Sequence, residues 1–419
     1  MRLPGLRRPG LRRLRLKRPL LVGLTIFGAA WALAIGAGLA GLRPERVVAP
    51  IWPSPGPTHV AAATSNPAPS PSPSPDPSPS PSPSPTPPPS PTPPPTPTPV
   101  PAPLTGRLVP PEAAARHPIA VMIDDLGPAR PQSGFSAASV VWHAPAEGGI
   151  PRYMLVFAEL EPGPVGPVRS ARQYYVEWAA EWRAVYAHVG GSPQALATLR
   201  AQGRGGLVYD ADQFRWGRSH FWRIAERLSP HNVYTDGAHL RALATILKAS
   251  DGPMEPAWTF APAAPYVKRP DDGRIEVDYR ANRVRYDYDR RTNTYLRSVS
   301  AEGEQVDAAT GERVAPTNVV VMLVHFGPLK DGSKKHRLEA DLIGKGPAWV
   351  ATNGRTAKGT WRKDSVTDPT RFLDGKGRPI PLSVGQTFIQ VLPYGTPMTI
   401  EDGAVPFSPA TLRGPTLEL

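Results

Sequence analysis

Between Pro118 and Ala195 short apolar runs alternate with loops rich in Gly, Pro, Arg and acidic residues. Ile119–Ile123 is a continuous apolar run with β-branched residues, the pattern of a strand buried on both faces. The same reading predicts strands over 119–123, 139–143, 152–158 and 184–189. Helices are predicted over 171–182, 193–201 and 236–249. Ser170 and Gln173 have the Ser-x-x-Gln spacing of a capping box. Behind them Tyr174, Trp178 and Trp182 recur every four residues, a stripe suited to core packing. Ser192-Pro193 reads as an N-cap with Pro at the first helical position, and Asp236 as a further cap. Strands alternating with helices predict an α/β unit over 107–257.

From about Pro262 the pattern changes. RIEVDYR, RVRYDYD and TYLRSV alternate polar with apolar or aromatic residues, as half-buried strands do. Asn318–Val324 is a second fully apolar strand. RLEADLI, AWVATNGRTAKGTWRK and QTFIQVL follow, and Asn353-Gly354 between two runs marks a tight hairpin. A mostly β part over 258–409 is expected, with a tail at 410–419.

The first hundred residues have a different texture. Residues 20–42 carry no charge and are long enough for a membrane-spanning helix. A basic arm over 1–19 precedes them. Its eight basic residues leave only +5 of the net charge of +13 for everything after them. By the positive-inside rule the N-terminus is then cytoplasmic and the folded parts lie outside; a cleaved signal peptide is the competing reading. An arm in this position is a topology signal, so no nucleic-acid partner is expected. Gly28, Ala32, Gly36 and Ala40 form a small-residue face through which two such helices can pair as a homodimer. A linker over 43–106 follows, with 21 Pro among the 37 residues from Pro67 to Pro103. That density excludes helix and sheet and favours polyproline II. The chain has no Cys, which excludes disulfides, a thiol nucleophile and lipidation at a cysteine.

Several motifs resemble those of one family. IDDLGPARPQSG, APAEGGIPRYM, GPVRSAR, AHVGGSPQA, PHNVYT, NVVVMLV, KGTWRKDS, PTRF and QTFIQVLP follow one another in this order across 107–408. In this the chain resembles the YerB-like bacterial envelope proteins, described as lipoproteins of unknown function. The resemblance implies an extracytoplasmic location and a two-part architecture, and it carries no catalytic assignment.

Asp124, Asp125 and Glu147 are candidate carboxylates for acid–base work, with His188 beside Gly190-Gly191. Their competing role is capping and turn formation. Arg130, Arg152, Arg169 and Arg172 suit carboxylate or phosphate recognition. With Ser170, Gly190, Gly191 and Ser192 at expected helix starts, they outline an anion site. In that outline the loop Gly166–Arg172 faces Asp124 and Asp125; alternatively these Arg pair internally with the three carboxylates. Arg218, His220, Arg223, His231 and Asn232 form a second polar cluster, of which His231 and Asn232 are candidate ligand contacts or loop braces. Thr360, Trp361, Arg362, Lys363, Arg371 and Phe372 read either as an aromatic–basic surface for sugars or as a hairpin with a charged edge. No HExxH, Walker A or GxGxxG pattern is present, so neither a metal nor a cofactor is expected. Two functions remain open: binding of an anionic or glycan envelope ligand or a protein partner, and hydrolysis or transfer on wall polymer through Asp124, Asp125 or Glu147.

Overall fold

The computed structural model describes residues 97–300 and 302–404. The basic arm, the apolar segment 20–42 and most of the Pro-rich run lie outside them. Among the described residues no helix is long and apolar enough to cross a membrane. Ordered structure begins earlier than composition places it. Val100–Pro101 already pairs with Leu108–Val109, and Leu104 is fully buried, because apolar residues return before the Pro run has ended.

The first half contributes β1 (Ile119–Asp124), β2 (Val140–Pro145), β3 (Pro151–Phe157), β4 (Val185–His188) and β5 (Tyr209–Asp212). Its main helices are α1 (Gln173–Ala179), α2 (Pro193–Gln202), α3 (Gln213–His220) and α4 (Gly237–Ile246). The second half adds the meander β6 (Gly273–Tyr279), β7 (Asn282–Asp289) and β8 (Thr294–Val299). It continues with β9 (Asn318–Val324), β10 (Gly344–Thr352), β11 (Arg355–Lys363), β12 (Arg371–Leu373), β13 (Thr387–Pro393) and β14 (Met398–Asp402).

Both halves enter one ten-stranded sheet of order β12-β11-β10-β9-β13-β2-β3-β1-β4-β5. The seam is the parallel pairing of β13 with β2, Thr387 opposite Val140 through Gln390 opposite His143. Every residue of β1, β2 and β3 is buried, which is why their sequences are continuous apolar runs. On one face Ala120, Met122, Trp142 and Met154 pack under α1. There Trp142 stacks on Trp178 at 4.6 Å, worth about 0.5–1.5 kcal/mol beyond burial. On the other face Ile119, Val121, Tyr153 and Phe388 meet Leu240 and Leu243 of α4 and the inner side of a five-stranded sheet. That second sheet contains β6, β7, β8 and β14 with the short strand Gly303–Glu304. The folded part is therefore mixed, with strands dominating.

Local expectations hold or fail for specific reasons. Ser192 caps α2 by accepting from the Ala195 amide at 3.3 Å, with Pro193 next, and Asp236 caps α4. The Asn353-Gly354 turn joins Thr352 to Arg355 with both residues at positive φ. A Cβ on Gly354 would lie 2.4 Å from the Tyr288 ring, so only Gly fits there. The capping box at Ser170 does not form. Helix α1 starts at Gln173, after Arg172, with no side-chain cap, because residues 168–171 are drawn into bridges with Ile123 and Gly191. Nor do Trp361 and Phe372 form a sugar-binding surface: both are buried in the core while Arg362 and Arg371 face solvent, the period-two alternation of a strand.

Candidate functional site

Strands β1, β2, β4, β5, β9 and β13 all run the same way. Their C-terminal ends therefore lie along one edge of the sheet, where open α/β sheets place their ligands. Asp124, Glu147, His188 and Asp212 all sit at or just beyond those ends. So does the Arg337 loop, which follows β9. No candidate would occupy this edge if its strand ran in the opposite direction.

Glu147 is the centre of one cluster. It pairs with Arg172, with Arg152 at 3.3 Å and with Arg337 at 3.9 Å. Arg337 also pairs with Asp331 at 2.5 Å, and Arg152 donates to the Ser170 carbonyl at 2.7 Å. Burial acts to raise the Glu147 carboxyl, but Arg152 and Arg172 outweigh it and hold it below its ordinary value. The Arg152 guanidinium is pushed down to about 10, first by burial and then by crowding with Arg172. Cations are thus packed more closely here than their counter-charges neutralise. Arg172 Nε, Arg337 Nε and the Tyr186 hydroxyl are buried without a hydrogen-bond acceptor among the described residues. Unsatisfied buried donors are uncommon, and each costs about 1–3 kcal/mol.

Asp124 organises a second group. The carboxylate is buried, and its Oδ2 lies 2.6 Å from His231 Nδ1 and 2.9 Å from Arg169 Nε. The Arg169 N–H is not directed along that line, so the contact is an ion pair without a hydrogen bond. His231 Nε2 makes no hydrogen bond among the described residues. Asp125 does not join this group. Neighbouring residues of an extended chain point to opposite faces, and Asp125 turns under the second sheet. There it accepts from Arg130 at 2.9 Å, His143 at 3.0 Å and Asn282 at 2.9 Å. The expected crevice with both Asp residues facing Gly166–Arg172 is therefore reduced to Asp124 alone. Beyond His143 lie Gln390, Tyr286 and Arg297, all fully buried. That network is interior and out of a ligand's reach.

The remaining candidates brace the edge. His188 is held by Asp210 at 2.8 Å and by the Gly190 carbonyl at 2.8 Å. Gly190 donates to Asp212, Gly191 bridges Ala171, and Ser192 is used as a cap. Asn232 accepts from Arg223 at 2.6 Å, which separates it from His231. Ser170 contributes its carbonyl to Arg152 and Arg172. Sequence reasoning missed Arg337, Asp331, Asp210 and His143. Of these, His143 carried a signal, as a lone polar residue inside a buried strand. Among the described residues no cluster of three metal-ligating side chains forms.

The comparisons agree with this architecture. The family model "Protein of unknown function (DUF3048) N-terminal domain" matches residues 104–250, and the corresponding C-terminal domain model matches 275–389. The Bacillus subtilis protein named "Putative lipoprotein YerB" is 32% identical over 304 residues, covering 69% of this chain and 85% of that protein. The crystal structure of the YerB protein from Bacillus subtilis superposes with a TM-score of 0.63 at 27% identity, covering 71% of this chain and 99% of that one. On its motifs, its two matched domains and its fold, the chain belongs to the YerB-like DUF3048 family.

Proposed function

We propose that the chain is a membrane-tethered envelope protein whose folded part binds an anionic envelope group through Arg152, Arg169, Arg172 and Arg337. The observation that carries this reading is the excess of buried guanidinium donors around Glu147. An anion there would take up both the unmatched charge and the free N–H groups. The tether is supported by the uncharged segment 20–42 behind its basic arm and by the lipoprotein name of the relative. With no Cys available, that uncharged apolar segment takes the place of a lipid as the proposed anchor. The test is titration of the detergent-solubilised protein with inorganic phosphate and with galacturonate. Saturable binding is expected, weakened by Arg172→Ala; no binding of either anion overturns the reading.

One observation favours a second reading. His231 is oriented through Nδ1 by a buried carboxylate while Nε2 has no partner among the described residues, the arrangement of a general base. Of the three carboxylates first considered for hydrolysis, Asp124 alone supports such a role, by orienting His231. Turnover of an ester or phosphodiester probe that His231→Ala abolishes would establish it. Absence of turnover in the parent protein removes it.

A further inference from the structure

We infer that the anionic ligand is a linear glycan carrying repeated negative groups, laid along the carboxyl edge from Tyr394 to Phe214. This rests on the anion reading above and adds the ligand's length and its sugar character. Ordered along the edge, β9, β13, β2, β3, β1, β4 and β5 are seven neighbours. At about 4.8 Å per neighbour they span about 29 Å, far more than a single anion needs.

The two ends of this run carry what the centre lacks. Beyond β13, Tyr394 is 43% exposed and stacks on His325 beyond β9 at 4.3 Å and 24°. Tyr394 lines a cleft of 540 Å³ with Pro145, Gly149 and Leu338. Gly149 and Leu338 stand within two residues of Glu147 and Arg337, so the cleft adjoins the central cluster along the chain. Beyond β5, Phe214 is 73% exposed and lies over Gly190, where an added Cβ would come within 2.9 Å of its ring. Asp212 fixes that position by accepting from both the Phe214 and the Gly190 amides. Asp212 and Asp210, the latter held by His188, keep their negative charge, so this end offers a sugar ring the Phe214 face while the anionic groups fall to the arginines at the centre.

An exposed aromatic ring loses solvent-facing apolar area when a pyranose lays its C–H face on it. Guanidinium forks take carboxylate or phosphate groups. Aromatic, arginine and aromatic in succession along one line fit a polymer with sugar rings and anionic substituents. A small anion would occupy only the centre and leave both rings without a role.

The experiment uses the full chain in detergent and a ladder of oligogalacturonates from monomer to octamer, with maltohexaose as the neutral control and inorganic phosphate as the minimal anion. The hexamer is expected to bind about tenfold or more tighter than the dimer, because separate contacts on one chain act together. Tyr394→Ala and Phe214→Ala should each weaken the hexamer several-fold and leave the dimer and phosphate unchanged. Arg172→Ala should weaken every anionic probe. A flat ladder with phosphate binding intact overturns the polymer and keeps the anion site. Equal binding of maltohexaose overturns the charge requirement, and no binding of any anion overturns the site itself.

Discussion

Lys363 Nζ, at the end of β11, lies 3.0 Å from Glu181 Oε1 in the turn that extends α1, with both side chains essentially out of water. The carboxylate also accepts from the Thr370 hydroxyl at 2.6 Å. The contact joins residues 182 apart, one from each half of the chain. Breaking a buried pair from one side costs about 3–5 kcal/mol, whereas an apolar pair of similar volume is close to neutral. Lys363→Met is therefore expected to destabilise by about that amount, and Lys363→Met with Glu181→Leu to recover most of it, as read by urea denaturation. Burial raises the Glu181 carboxyl above 4.5, with Lys363 opposing. A raised folded-state value gives stability that is present at low pH and lost as pH rises through it. The single variant's deficit should accordingly be smaller at pH 4 than at pH 7.

Asp125 and His143 are both held below their ordinary values of 3.8 and 6.5. The two shifts oppose one another, since a cationic His143 would help to lower Asp125. Burial first, and then Arg297, keep His143 neutral; burial also acts to raise Asp125, but the His143 hydrogen bond, and then Arg130 and Arg297, outweigh it and keep Asp125 ionised. Nε2 then carries the proton towards Asp125; this tautomer requires the Gln390 amide, whose Oε1 faces Nδ1 at 2.9 Å while its NH2 donates to Tyr286, to turn so that its NH2 meets Nδ1. Nitrogen NMR at pH 7 should report a neutral Nε2–H tautomer; an imidazolium would refute it. Because both folded-state values are depressed, stability present at neutral pH should decline below pH 6.5. It should decline further below 3.8.

Glu147→Gln removes the counter-charge shared by Arg152, Arg172 and Arg337. A loss of about 2–4 kcal/mol is expected at low salt. Added phosphate should restore much of it if the cluster holds anions. A melting temperature that phosphate does not change in this variant would count against the cluster as a binding site.

Protease added to intact protoplasts is expected to remove residues 97–404 and to leave the basic arm protected. Survival of the folded part would reverse the topology.

Much of the fold was legible because buried strands announce themselves. β1, β2, β3 and β9 are apolar runs with few alternatives, and Asn353-Gly354 admits one turn. β5 was not legible: Tyr-Asp-Ala-Asp is half buried at a sheet edge, and Asp disfavours strands. At the site, Asp124, Glu147 and their arginines stand in recognisable loops. Arg337 is 190 residues from Glu147 and reaches it only because β9 enters the sheet parallel to β2. No local pattern encodes that. The seam between β2 and β13 was hidden for the same reason.

That seam also sets a timetable for folding. His143 and Gln390 face each other across 247 residues, so a chain emerging from its N-terminal side presents β2 long before β13 arrives. Throughout that interval β2 is an open, apolar edge able to pair with any strand it meets. That edge stays open until nearly the whole chain has emerged, and a chain interrupted before Thr387 has no native way to close it.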